Sequence, residues 1–145
     1  MKKFVLLTLP AALLLFAFIQ QEPIKREQQI QPQELNWLII NPANTVKPVI
    51  LNVGTVTDQV IKGAIKAGPV NDAQGFEAFK NKVSGIAKDK DIVIYCGCCT
   101  SANCPNIRPA INYLVENGYK KAKVLNIETG IKENWVAMGF PIEKK

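Results

Sequence analysis

The stretch Ile92-Val93-Ile94-Tyr95-Cys96-Gly97-Cys98-Cys99-Thr100-Ser101-Ala102-Asn103-Cys104-Pro105-Asn106-Ile107-Arg108-Pro109 decides how this chain is read. An apolar run enters a cluster of cysteines, and a helical pattern begins directly after it. All four cysteines of the 145-residue chain lie here, at positions 96, 98, 99 and 104. The run Asp91–Tyr95 has the length and composition of a buried parallel strand. In parallel α/β sheets, ligands sit beyond the carboxyl ends of strands, on the loops that lead to helices. Cys96 is the first residue past the strand and occupies that place. The next helix is expected to begin at Pro109, with Arg108 as its N-cap, because proline in the first turn forfeits no helix bond.

A loop that curls over a helix start receives unpaired N–H groups and the positive end of the helix dipole. Such a place stabilises a thiolate and lowers a cysteine pKa from about 8.5 by a unit or more. One unit is worth about 1.4 kcal/mol of preference for the charged form. The chain has no histidine. Imidazole bases, Cys–His dyads, H-E-x-x-H metalloprotease chemistry and mixed Cys/His zinc sites are therefore excluded. The expectation is an accessible Cys96 thiolate, supported by backbone donors, with Arg108 as a planar donor fork for an oxyanion. Cys96 and Arg108 are the candidate catalytic residues. Gly97, Cys98, Cys99, Thr100, Ser101, Cys104 and Asn106 are the candidate substrate-binding loop.

The other three thiols admit several roles. One of them can resolve or relay sulfur held on Cys96. Cys98 or Cys99 can pair with Cys104 as a clasp, whereas a Cys98–Cys99 bridge between neighbours is strained. Four cysteines allow three full pairings, and spacing does not choose among them. The metal alternative uses Cys96, Cys98, Cys99 and Cys104 together, a count that suits structural zinc or an iron–sulfur centre. Against it, the spacing is not that of paired C-x-x-C motifs, and adjacent Cys98 and Cys99 do not readily face one tetrahedral ion. Cu(I) is less demanding. The main reading needs neither metal nor cofactor.

Met1-Lys2-Lys3 followed by the apolar run Phe4–Ile19 has the layout of a secretory signal peptide. It is short for a membrane span, and Pro10 interrupts it. Residues 1–20 are thus expected to be a signal peptide or an N-terminal anchor, 21–29 a flexible tether, and 30–145 the domain. The expected location is the periplasm, free or membrane-anchored through an uncleaved N-terminal segment. The formal charge is +6, from 18 basic and 12 acidic residues. Loss of Lys2 and Lys3 leaves 16 basic residues and +4, scattered and not interleaved with aromatics. A solvated surface follows, with no nucleic acid partner. The expected partners are a small sulfur-containing substrate and a thiol acceptor, and the expected state is a monomer.

Outward from the cysteines, Pro32 opens a helix carrying Leu35, Leu38 and Ile39, which Asn41-Pro42 ends. Val49–Val53 reads as another buried strand. Thr57-Asp58 is expected to cap a short helical turn through Val60-Ile61. Phe76, Phe79, Val83 and Ile86 mark an amphipathic helix. Ile111, Leu114 and Val115 mark the helix after the loop, with Gly118 stopping it. Val124-Leu125 is a short strand, and Trp135, Val136 and Met138 belong to a last helix ending near Gly139. Strands alternate with helices, so a parallel α/β sheet is expected.

An ordered set of segments resembles the rhodanese family of sulfurtransferase domains. Ile30–Leu35 is similar to "ISPEEL", Val49–Gly54 to the strand ending in "DVR", and Val60–Ile65 to "HIPGAI". Ile92–Cys96 resembles the strand that delivers the catalytic cysteine. Val124–Ile131 with Trp135 and Gly139–Ile142 resembles "VYNLEGGIxAW…GYPV". The resemblance spans residues 30–143. It implies a single domain with a central parallel sheet of about five strands, flanked by helices on both faces. It also implies a sulfurtransferase or sulfur carrier that forms a persulfide on Cys96 and passes the outer sulfur to an acceptor. The alternatives are a four-cysteine metal-binding module and a thiol/disulfide redox protein. Asn52 and Gly54 stand where the family has Asp and Arg, Val60 where it has His, and Ser101 where an Arg commonly precedes the helix. The loop is longer by roughly five residues, with Arg108 as the nearest basic substitute.

Overall fold

Strand β5 (Ile92–Tyr95) is buried along its whole length and forms the middle of a five-stranded sheet. In the computed structural model, which describes residues 23–55 and 59–144, the sheet comprises β1 (Gln29–Ile30), β2 (Val49–Asn52), β4 (Ile65–Lys66), β5 and β6 (Ala122–Leu125). Their order is β1-β6-β5-β2-β4, and every neighbouring pair is parallel. The expected five-stranded parallel sheet is present. Residues 1–20, read as a signal or anchor, lie outside the described residues. Among the described residues no helix is long and apolar enough to cross a membrane.

The alternation of side chains along β5 builds two cores. Ile92, Ile94 and Cys96 face one side, with Leu51 and Val53 of the β2 segment. Val93 and Tyr95 face the other, with Ile50. A strand buried on both faces carries apolar residues at every position, which is why its sequence does not alternate. The first face is covered by α2 (Ala73–Ser84), through Phe79 and Val83, and by α3 (Ile107–Glu116), through Ile107, Ala110, Ile111 and Leu114. The second is covered by α1 (Pro32–Ile40), through Leu35, and by Trp135.

Local chemistry fixes the helix ends. Pro32 is the first residue of α1, and Asp72 caps α2 by accepting from the Gly75 N–H at 2.7 Å. At the end of α3, Gly118 takes φ +83°. There the Gly118 N–H reaches Val115 O at 3.1 Å and the Tyr119 N–H reaches Leu114 O at 2.9 Å, a Schellman closure.

Four expectations are corrected. Helix α3 begins at Ile107, with Asn106 at the N-cap, two residues before Pro109. Pro109 is then the third helical residue, whose N–H would still lack an intrahelical acceptor, so proline costs nothing there. The turn expected at Val60-Ile61 is strand β3 (Gln59–Ile61), antiparallel to β7 (Ile142–Lys144), with Ile61 opposite Ile142. Thr57 and Asp58 lie outside the described residues. The tether expected over 21–29 ends early, since Arg26–Gln28 forms a 3-10 turn and Gln29 pairs with Val124 of β6. The last helix is a single π-helical turn, Lys132–Val136, which drives Trp135 into the core.

Candidate active site: the cysteine loop

Eleven residues, 96–106, separate β5 from α3. The loop is tied at Ser101. Its N–H donates to Ile127 O at 2.8 Å, its hydroxyl donates to Leu125 O at 2.5 Å, and the same oxygen accepts from the Ile127 N–H at 2.9 Å. Ser101 is buried and its hydrogen bonds belong to the end of β6, so the position that resembles the family's Arg is a structural tie. The far end of the loop is held by Asn106, whose Oδ1 accepts from the N–H groups of Val70 at 2.7 Å and Asn71 at 3.0 Å.

Between these anchors the four sulfurs converge. Cys96 Sγ is 3.1 Å from Cys98 Sγ and 3.9 Å from Cys99 Sγ, and Cys98 and Cys99 are 3.4 Å apart. All four sulfurs lie within 4.8 Å of one another. The neighbouring pair Cys98–Cys99, judged awkward from sequence, does point both sulfurs at one locus. None of the four thiols is in a disulfide. Asn106 Nδ2 lies 4.0 Å from Cys96 Sγ and 3.9 Å from Cys104 Sγ.

Cys96 is only 1% exposed and belongs to the same buried cluster as Val53, Val70 and Ile107. The sequence reading expected an open thiolate at this position; instead, its sulfur lies under the exposed Cys98 and the half-buried Cys99. The charge also sits elsewhere. Cys104 is held down to about 5, first by the thiol hydrogen donated from Cys96, then by Cys99 and by the N–H groups of Asn106 and Ile107. Cys96 is pushed well above the usual thiol range by donating to Cys104 and by burial. Burial and donation to Cys104 push Cys99 up to about 12. Within the cluster the negative charge is therefore favoured on Cys104, and the proton on Cys96 and Cys99.

The remaining candidate residues divide. Gly97 is buried, and Thr100 is half-buried with Oγ1 lacking a hydrogen-bond partner among the described residues. Arg108 lies within the first turn of α3, not at its cap. It borders a groove of about 590 Å³ with Asn103 and Cys104, and a second of about 300 Å³ with Ser101 and Asn126. Two residues were missed as site components. Gly54 lies so close to Cys96 that a Cβ there would overlap Sγ. Asn52, buried, accepts from the Gly54 N–H at 3.0 Å and shapes that approach. A glycine at a strand's carboxyl end was the available signal. The side chains implied by the family at positions 52 and 54 are replaced by this cap and this close packing.

No protein-family model and no curated protein matches the sequence. Solved structures do match its fold. The crystal structure of the Alr3790 protein from Anabaena sp. superposes with a TM-score of 0.60 at 22% identity, over 79% of this chain and 91% of that one. The solution structure of the rhodanese-like domain from the same Anabaena protein gives a TM-score of 0.58 at 21% identity, over 81% of this chain and 80% of that one. The parallel five-stranded sheet, the helices on its two faces and these likenesses agree: the chain has the rhodanese-like fold.

Proposed function

We propose that this domain is an exported sulfurtransferase or sulfur carrier, with Cys96 as the residue that holds transferred sulfur. The supporting observation is the position of Cys96 at the carboxyl end of central strand β5, beside the start of α3, in a rhodanese-like fold. In this reading the Cys96 sulfur attacks the outer sulfur of a sulfane donor. A Cys96 S–S bond forms, the donor's S–S bond breaks, and the donor leaves with the electron pair. A nucleophilic acceptor, such as a thiol, then attacks the outer sulfur and Cys96 leaves as thiolate. The sequence involves no net oxidation or reduction of the protein.

The exposed Cys98 sulfur, 3.1 Å from Cys96, has to turn aside to admit a donor. It is also placed to receive the outer sulfur or to resolve the persulfide, which would release sulfide and leave a Cys96–Cys98 disulfide. Arg108 supports an anionic donor at the neighbouring groove. Export rests on Met1-Lys2-Lys3 and the apolar run behind it, and cell fractionation tests it. The domain is read as a monomer, which sedimentation tests.

The decisive experiment is intact-mass analysis after incubation of reduced protein with thiosulfate and with an organic persulfide. Wild type should gain one sulfur, and Cys96→Ser none. Wild type unchanged by every sulfane donor, or Cys96→Ser still loaded, would refute the assignment.

A further inference from the structure

A sulfur carrier needs one thiol, and this loop assembles four. We propose that Cys96, Cys98, Cys99 and Cys104 together bind a single thiophilic d10 cation, Zn(II) or Cu(I), through thiolate sulfur alone. The first argument is geometric. Four sulfurs around a metal at about 2.3 Å form a tetrahedron with edges of about 3.8 Å. The spacings here run from 3.1 Å to no more than 4.8 Å and straddle that value without any rearrangement of the backbone fold.

The second argument is the shell behind the sulfurs. The donor behind the buried sulfurs Cys96 and Cys104 is the Asn106 amide, 4.0 Å and 3.9 Å away. It is itself positioned through the backbone of Val70 and Asn71. Donors of this kind orient ligands and offset the negative charge that a set of thiolates collects. The third is the donor set. The group contains sulfur only, with no carboxylate, and the chain has no imidazole. Such a set selects soft ions over magnesium or calcium.

Burial gives the site a direction. Cys96 and Cys104 form the buried floor, while Cys99 is half-buried and Cys98 exposed at the mouth. A metal enters and leaves on the Cys98 side. Each sulfur still protonated releases its proton to water on binding, and neither the metal nor the sulfur changes oxidation state. Metal and transferred sulfur then compete for the same Cys96 lone pair, so a loaded site blocks sulfur uptake. The metal site does not depend on the sulfur-transfer reading, because it requires only the geometry of the four thiols.

The test uses the full chain, reduced and stripped of metal under anaerobic conditions. Zn(II), and separately Cu(I), is titrated against a chromophoric chelator, with Co(II) as a spectroscopic probe. One equivalent of Zn(II) or Cu(I) is expected to bind. The Co(II) form should show sulfur-to-metal charge-transfer bands and the intense visible bands of a tetrahedral site. Cys98→Ser and Cys99→Ser, both outside the buried floor, should each weaken binding at least tenfold while leaving the far-ultraviolet circular dichroism unchanged. Failure of both cations to outcompete the chelator, or equal binding in wild type and these variants, overturns the proposal. Sulfur loading is read separately by mass. Metal binding with no sulfur uptake by the metal-free protein removes the sulfurtransferase reading and keeps the site, and the opposite pattern does the reverse.

Discussion

Gly54 and Cys96 lie in direct contact across the carboxyl ends of β2 and β5, and the space that a Cβ at position 54 would need is filled by the Cys96 sulfur. The two strands are in register, with Asn52 opposite Tyr95. Continued by one residue, that register sets Val53 beside Cys96, and Gly54 follows where the chain leaves β2, against the Cys96 sulfur. A side chain at 54 would push the Cys96 sulfur out of the cluster.

Gly54→Ala is accordingly expected to cost about 1–3 kcal/mol, the usual range for overpacking a filled site. Urea unfolding measures it. The same variant should load sulfur on Cys96 more slowly, seen as a lower rate of mass gain. Unchanged stability and loading would mean that the two residues separate easily.

Ser101→Ala removes a buried hydroxyl that serves as donor to Leu125 O and acceptor from the Ile127 N–H. Leaving those backbone groups short of a partner should cost about 1–3 kcal/mol. The measurement is again denaturant unfolding. Amide exchange at Ile127 should accelerate more than exchange at the centre of β5.

Asn106→Asp keeps an oxygen for the Val70 and Asn71 N–H groups while removing the amide that faces Cys96 and Cys104. It also places negative charge beside anionic sulfur. Sulfur uptake should slow by about tenfold, the worth of about 1.4 kcal/mol, with the melting temperature little changed. Asn106→Ala loses both functions and should be destabilised as well.

Arg108→Gln tests the anion role at the groove beside Cys104. Loss of a hydrogen bond to a charged group is worth about 1.5–3 kcal/mol. Sulfur uptake from thiosulfate should fall by roughly tenfold or more. Uptake from a neutral polysulfide should fall less, and equal loss with both donors argues for a structural role.

The sequence is a good guide where one physical pattern dominates. Apolar runs name β5 along its whole length and β2 up to its last residue, Asn52, because burial on both faces disfavours polar side chains. Pro32 and Gly118 mark a helix start and a helix end through backbone restrictions that no distant contact alters. Strand β3 was misread because three residues carry no period, and only pairing with β7 gives them an extended form. Helix α3 starts earlier than Pro109 suggests because proline is tolerated throughout the first turn. At the site, membership in the loop was legible from spacing. The convergence of adjacent Cys98 and Cys99 was not, since it depends on how the backbone turns between the Ser101 tie and β5. Nor was the burial of Cys96, which is set by α2 and α3 closing over that face of the sheet.

The Ser101 tie falls at the midpoint of the eleven-residue connection, so what looks like one long loop behaves as two spans of five residues each. Short spans have few conformations to lose. The entropic cost of gathering four thiols is thus met when the chain folds, and a guest arriving at the sulfurs meets a cradle already set.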